Sequence, residues 1–397
     1  ELRGTPGQRR LTRDSRGRVM DVVDDPEHLA HPGRDVVLTL DAVIQLFTER
    51  ALDELVAEAR PEACCAIVLD PNSGDVLGMA SRPSFDPNHA DNVPDAAWKN
   101  RAIADIYEPG STFKPMIVAY GLDRRMLAVS DQYDCEWGRY RMGRRLLHDH
   151  HPYGTLSLTD VLVKSSNIGM AKVGEQMTNA GLHSAAAVFG FGRRTGIELP
   201  GELPGILRPL DEWTSYSTGS IPMGHEIAAT PLQLITAHAA LANGGTLVRP
   251  RILKSRPADG PDDLRNLVQT TVSADVARWV VQEPMQQVVT RGTGKRAKIE
   301  GYDVFGKTGT AQCLSPNGGY VHGKYISSFV CGAPVQNPRL LVLVVVNQAT
   351  GSGGEVFGGR IAAPVAAKIL RESLLHLRIS PVGTDDSWAS GIQSTRR

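Results

Sequence analysis

The chain carries no net charge: 43 Lys plus Arg stand against 43 Asp plus Glu among 397 residues. That balance removes the global basic field that nucleic acid or an acidic membrane surface selects, so no polynucleotide partner is expected. Long apolar runs are also missing. The longest purely aliphatic stretch, Leu340-Leu341-Val342-Leu343-Val344-Val345-Val346, falls far short of the ~20 residues a bilayer-crossing helix needs. Cysteine is scarce. The five present (Cys64, Cys65, Cys135, Cys313 and Cys331) are an odd number without C-x-x-C spacing, which indicates neither a disulfide framework nor a zinc site. Cys64, Cys65 and Cys331 lie in apolar runs and read as small buried hydrophobes. What is abundant is core material, since 41% of the residues are hydrophobic, enough for one large domain or two ordinary ones.

Residues 1–35 are rich in Arg, Gly and Asp with little periodicity and read as a linker or a remnant of a preceding domain. The start at Glu1 without Met leads to the expectation that an upstream segment was removed. From Ala42 to Ala59 apolar residues recur at helical spacing until Arg60-Pro61 ends the pattern. Ala63–Leu69 and Val76–Ala80 are β-prone and flank the turn residues Pro71-Asn72-Ser73-Gly74, which predicts a hairpin. The next strands are expected only at Asp303–Gln312, Ile326–Pro334 and Leu340–Asn347, followed by a closing helix over Ile361–Leu377. The expected fold class is therefore α/β of the α+β kind. A five-stranded, largely antiparallel sheet is flanked by N- and C-terminal helices, with a large, mostly helical subdomain between its strands.

Three short patterns occur in order along this framework. Glu108-Pro109-Gly110-Ser111-Thr112-Phe113-Lys114 contains S-x-x-K, Ser165-Ser166-Asn167 is S-x-N, and Lys307-Thr308-Gly309-Thr310 opens with K-T-G. Each alone has an ordinary explanation: a helix cap, a loop, a turn. Together, in this order, they form the signature of penicillin-binding proteins and class A β-lactamases. Pro109-Gly110 suits a turn into a helix, which would put the Ser111 N–H at a helix N-terminus, with Lys114 one turn later on the same face. A serine hydroxyl needs a proton acceptor, and Lys114 can serve only as the neutral amine. Deprotonating an ordinary lysine at pH 7 costs about 4.6 kcal/mol. Partial burial and a nearby cation, for which Lys307 is the candidate, would both reduce that cost.

With Asp35-Val36-Val37-Leu38-Thr39-Leu40-Asp41, Thr230-Pro231-Leu232-Gln233 and Gly358-Gly359 added, the chain resembles the transpeptidase domain of class B penicillin-binding proteins over nearly its whole length. Glu-Pro-Gly-Ser-Thr before the nucleophile is most similar to the division and sporulation type. The resemblance implies residues 36–378 as the transpeptidase domain, 1–35 as a linker or pedestal remnant and 379–397 as a polar tail. It implies Ser111, Lys114 and Ser165 as catalytic residues, with Ser165 bridging the two lysines. Asn167, Lys307, Thr308, Gly309 and Thr310 would bind the substrate peptide, the Thr308 and Thr310 hydroxyls meeting its terminal carboxylate. The Ser111 and Thr310 N–H groups would form the oxyanion hole. The implied reaction cross-links peptidoglycan stem peptides ending in D-Ala-D-Ala through an acyl-enzyme on Ser111, with β-lactams as covalent inhibitors and no cofactor or metal. The family also implies a separate glycosyltransferase partner and an extracytoplasmic position on an N-terminal membrane anchor. Two alternatives stand beside this: a hydrolase, for which Glu198 or Glu202 could activate water, and a non-catalytic β-lactam sensor or division scaffold. His148-Asp149-His150-His151 has metal-binding residue types, but it resembles the family's ordinary approach to S-x-N.

Overall fold

The computed structural model describes residues 2–255, 267–315, 319–350 and 357–381. Strands β1 (Ala63–Leu69), β2 (Val76–Arg82), β3 (Phe305–Leu314), β4 (Tyr320–Ala333) and β5 (Leu340–Asn347) form one sheet. Their order is β3-β4-β5-β1-β2, and every neighbouring pair is antiparallel. The helices that matter for the site are α1 (Ala42–Ala59), α2 (Lys114–Asp123), α3 (Leu158–Lys164), α4 (Asn167–Val188), α5 (Pro231–Ala242) and α6 (Gly358–His376).

The uninterrupted apolar run of β5 is explained by burial on both faces. Val342, Val344 and Val346 join Ala66 and Val68 in a core with Ile44 and Leu52 of α1 and Ile369 and Leu370 of α6. Leu341, Leu343 and Val345 point the other way with Ile67 and Leu69, into the core of the helical lobe. This is the period-2 alternation of a strand with no solvent face. Helix α1 starts where the Asp41 carboxylate accepts hydrogen bonds from the Val43 and Ile44 N–H groups at 2.9 and 3.0 Å. It ends at Arg60 in the left-handed region, φ 44°. Asp41 also meets His376 Nε2 at 3.0 Å, joining the start of α1 to the end of α6.

One sequence expectation needs correction. The intervening segment is not free of strands: Gln132–Asp134 pairs with Thr155–Ser157, Arg139–Met142 with Arg145–His148, and Thr246–Val248 with Leu267–Thr270. Strands of three or four residues are too short for an alternating pattern to show. Within residues 1–35, Arg9–Arg13 and Val19–Asp24 form an exposed hairpin, with Asp14 accepting from the N–H groups of Arg16 and Arg18 at its turn. The expected tail over 379–397 lies, beyond residue 381, outside the described residues. All five cysteines are free and buried.

Candidate active site

Ser111 sits in a single 3-10 turn, Gly110–Phe113, that runs directly into α2. In a 3-10 turn residues three apart eclipse one another, so Ser111 and Lys114 share a face more closely than an α-helix would give. The turn is pressed against a second loop, with Gly110 N–H donating to the Gly224 carbonyl at 3.1 Å. Gly224 has φ 80°, and a Cβ there would collide with the Gly110 backbone, so only glycine fits. Beneath the turn His238 is buried, and its Nε2 lies 2.9 Å from the Thr112 carbonyl. Burial lowers His238 to about 4, so it stays neutral and donates.

Lys114 and Lys307 are both fully buried. Lys114 Nζ donates to the Ser165 carbonyl at 2.8 Å, the Ser166 carbonyl at 3.1 Å and Asn167 Oδ1 at 2.9 Å, with Ser165 Oγ at 3.4 Å. Lys307 Nζ lies 2.8 Å from the same Ser165 Oγ. Ser165 reaches between the amines because it breaks the α3–α4 junction in the left-handed region, φ 59°, a conformation that costs a non-glycine residue roughly 1–2 kcal/mol. Burial lowers Lys114 to about 7, against the opposing pull of Asp149 and Cys135. Lys307 is pushed well below the ordinary lysine range, first by burial and then by the charge of Lys114. Dehydration leads the depression of Lys114 and makes it a usable base.

The S-x-N segment is held by a residue that the motif does not contain. Asp149 accepts from Ser166 Oγ at 2.6 Å and from the Asn167 and Ile168 N–H groups at 2.5 and 3.1 Å, a carboxylate seated on the N-terminus of α4. The sequence offered Asp149 only as a member of a His-Asp cluster; its carboxylate is occupied as a helix cap. Asn167 is oriented from both ends, its Nδ2 donating to the His148 carbonyl at 3.3 Å.

Strand β3 lies at the sheet edge and brings Lys307, Thr308, Gly309 and Thr310 alongside the nucleophile turn. Gly309 has no room for a Cβ because Ser328, Thr112 and Pro109 crowd it. The hydroxyls of Thr308 and Thr293 are 2.7 Å apart, and Thr310 Oγ1 accepts from Gly358 N–H at 3.2 Å. Ser111, Ser165, Asn167, Thr308, Gly309 and Thr310 all line one cleft of about 650 Å³. Lys164, Lys295 and Arg296 also line it and make it favourable to anions.

Glu198 and Glu202 do not line this cleft. Glu198 accepts from Ile252 N–H at 3.1 Å, and Glu202 accepts from the Thr195 and Gly196 N–H groups at 2.7 and 3.1 Å. Both carboxylates are structural ties. Sequence reasoning missed Glu108, whose buried carboxylate accepts from His225 Nδ1 at 2.7 Å, Glu226 N–H at 2.9 Å and the Tyr320 hydroxyl at 3.0 Å. Burial alone would raise the Glu108 carboxyl, but these donors hold it below the usual carboxylate value.

Comparison with known proteins gives a consistent picture. A family described as the penicillin binding protein transpeptidase domain matches residues 64–371. The chain is 33% identical to stage V sporulation protein D of Bacillus subtilis over 397 residues, covering 96% of this chain and 60% of that protein. It is 32% identical to peptidoglycan D,D-transpeptidase FtsI of Escherichia coli over 380 residues, covering 96% and 62%. The chain thus spans about 60% of the length of these two relatives. Among solved structures it is similar to the transpeptidase domain of Burkholderia pseudomallei penicillin-binding protein 3, with TM-score 0.77, 30% identity, and coverage of 89% of this chain and 99% of that one. Penicillin-binding protein 3 of Mycobacterium tuberculosis, solved with aztreonam, gives TM-score 0.81 at 29% identity over 90% and 82%. Since the matched stretch runs from β1 into α6 and encloses all three motifs, the chain belongs to the transpeptidase-domain family of the class B penicillin-binding proteins.

Proposed function

We propose that the chain is a serine D,D-transpeptidase that cross-links peptidoglycan stem peptides, working in septal or sporulation wall synthesis. The observation that carries this reading is the Ser165 hydroxyl held between two fully buried lysines beside the half-buried Ser111. Neutral Lys114 takes the Ser111 proton as Oγ attacks the penultimate D-alanine carbonyl. Ser165 relays that proton to the departing amine, the peptide C–N bond breaks, D-alanine leaves, and an acyl ester remains on Ser111. The Ser111 and Thr310 N–H groups hold the oxyanion, and removing one such donor typically costs ~10²–10³ in rate. The donor's terminal carboxylate meets Thr308 and Thr310. Asn167, fixed by Lys114 and His148, holds the peptide backbone. An amine of a neighbouring stem peptide then resolves the ester. The engagement of Glu198 and Glu202 away from the cleft supports an amine over water as the acceptor.

The reading extends to an extracytoplasmic site of action on an N-terminal membrane anchor and to a separate glycosyltransferase that supplies the glycan strands. Among the described residues no helix is long and apolar enough to cross a membrane. The test is labelling with a fluorescent penicillin, followed for hours beside a Ser111→Ala control. The expected result is a lasting penicilloyl adduct by intact mass on the wild type alone. An adduct on the Ser111→Ala protein would overturn the nucleophile, and rapid loss of label would make water the acceptor.

A further inference from the structure

Ser111 and Lys114 face each other most closely while the turn that carries them keeps its 3-10 form. Residues three apart coincide around the axis of a 3-10 turn, whereas in an α-helix they lie about 60° apart. The turn cannot secure that form with its own backbone. The Lys114 N–H donates three residues back, to the Ser111 carbonyl. The next bond of the same kind would join residue 115 to the Thr112 carbonyl, and Pro115 has no N–H to donate. Thr112 is fully buried, a place where an unpaired carbonyl is costly.

His238 fills this gap from another helix. Its Nε2 lies 2.9 Å from the Thr112 carbonyl, and since a carbonyl only accepts, the imidazole donates. We infer that His238 is a positioning residue of the acyl transfer, which holds Ser111 over Lys114 by supplying, through Thr112, the hydrogen bond that Pro115 cannot make. The inference rests on the transpeptidase reading.

The surroundings suit that part. Every residue of α5 is buried, and the helix opens with a reciprocal cap in which Thr230 Oγ1 accepts from the Gln233 N–H at 3.1 Å and Gln233 Oε1 from the Thr230 N–H at 2.9 Å. His238 is thus carried by a fixed element. Thr112 is held from its other sides as well, its hydroxyl donating to the Pro109 carbonyl at 2.6 Å and its methyl so close to Gly309 of β3 that a Cβ there would come within 2.9 Å. The residue next to the nucleophile therefore sits between α5 and the K-T-G strand. His238 Nδ1 is buried and has no hydrogen-bond partner among the described residues. An apolar side chain would avoid that unpaired acceptor, so the contact with Thr112 is the one polar bond this imidazole makes.

The test compares H238M, which fills the space without a donor, with H238Q, whose amide nitrogen can stand where Nε2 stands. The concentration dependence of acylation by benzylpenicillin separates the chemical step from the binding that precedes it. H238M should slow the chemical step about tenfold and leave binding unchanged, and H238Q should recover most of the loss. P115A gives the turn a donor of its own, so adding H238M to P115A should cost no more than about twofold. Wild-type rates in H238M, an H238Q protein as slow as H238M, a loss confined to binding, or an undiminished loss in the P115A protein would overturn the positioning role. If H238M fails to fold, the imidazole nitrogen chemical shifts of wild-type His238, assigned by their absence in H238Q, decide instead: hydrogen on Nε2 supports the role and hydrogen on Nδ1 alone overturns it. A wild type that forms no penicilloyl adduct would overturn the transpeptidase reading and the role with it, whereas an adduct with any of the contrary rates overturns the role alone.

Discussion

The sheet face under α1 and α6 and the lysine pair beside the edge of the same sheet are both buried, yet they are built from opposite materials. Under the helices, Val342, Val344, Leu370 and Ile44 exchange water for apolar neighbours, which stabilises the fold by about 1.5–3 kcal/mol per large side chain. At the edge, Lys307 and Lys114 are buried just as completely, and their dehydration works against the charged state. The first region gains stability that pH does not touch. The second gives some up, and gains a lysine that can take a proton near neutrality. Burial is therefore one physical device with two uses, decided by whether the buried atom can be charged.

The sharpest way to break this contrast is Lys114→Met, which keeps the volume and removes the base. Acylation by a β-lactam should fall about 10²–10⁴-fold, while far-UV circular dichroism stays that of the wild type. Retained acylation would show that burial of Lys114 serves packing alone.

Leu370→Ala is the counterpart. It should lower unfolding free energy by about 2–5 kcal/mol in a denaturant titration, with the acylation rate of the folded protein unaltered. A rate that fell with stability would mean that the two regions are not separable.

Asp149→Asn acts on the seam between them. Loosening Ser166 and Asn167 should slow acylation about tenfold, the value of one charge-assisted hydrogen bond. Acylation needs neutral Lys114, so its acidic limb should lie near pH 7 in the wild type. Asp149 raises the Lys114 value; removing its charge should move the limb to lower pH. Lys307→Gln should leave the limb in place, because burial leads the Lys114 shift. An upward move in Lys307→Gln would restore Lys307 to the part of a depressing cation.

The smallest expected effect is on stability against pH. Unfolded, Lys114 keeps its proton to about pH 10.4, whereas folded it loses it near 7. Between these values the unfolded state binds more protons, so stability rises with pH, by at most about 1.36 kcal/mol per unit for this group. Thermal melts from pH 7 to about 8.5, below the ordinary cysteine range, should show the rise in the wild type and a shallower one in Lys114→Met. Identical slopes would place the Lys114 proton elsewhere.

Elements with strong periodicity were legible from the chain. Helix α1 and strands β1 and β5 occupy the expected bounds because apolar spacing, a capping Asp41 and the Arg60-Pro61 stop all act locally. Helix α6 begins three residues before the expected Ile361, at Gly358. The glycines there pack on Gly309, Ser328 and Thr293, contacts that no local pattern reports. The short hairpins of the helical lobe were missed because three-residue strands carry no period. Asp149 was visible only as a member of the His-Asp cluster before S-x-N, with nothing local to mark it as the cap of α4. Glu108 lay inside the quoted motif, yet its partners His225 and Tyr320 come from 117 and 212 residues away.

By itself, the sequence determined the order of the elements, the two-faced burial of β5 and the three short patterns that identify the family. Each of these is written in neighbouring residues. Tertiary structure alone decided that Ser165 stands between two lysines drawn from positions 51 and 142 residues away. It also decided that burial lowers the proton affinity of both amines and that the Glu108 carboxylate sits against the ring of His225. Proton affinity depends on what surrounds an atom once water has gone, and those surroundings are assembled from distant parts of the chain only when it folds.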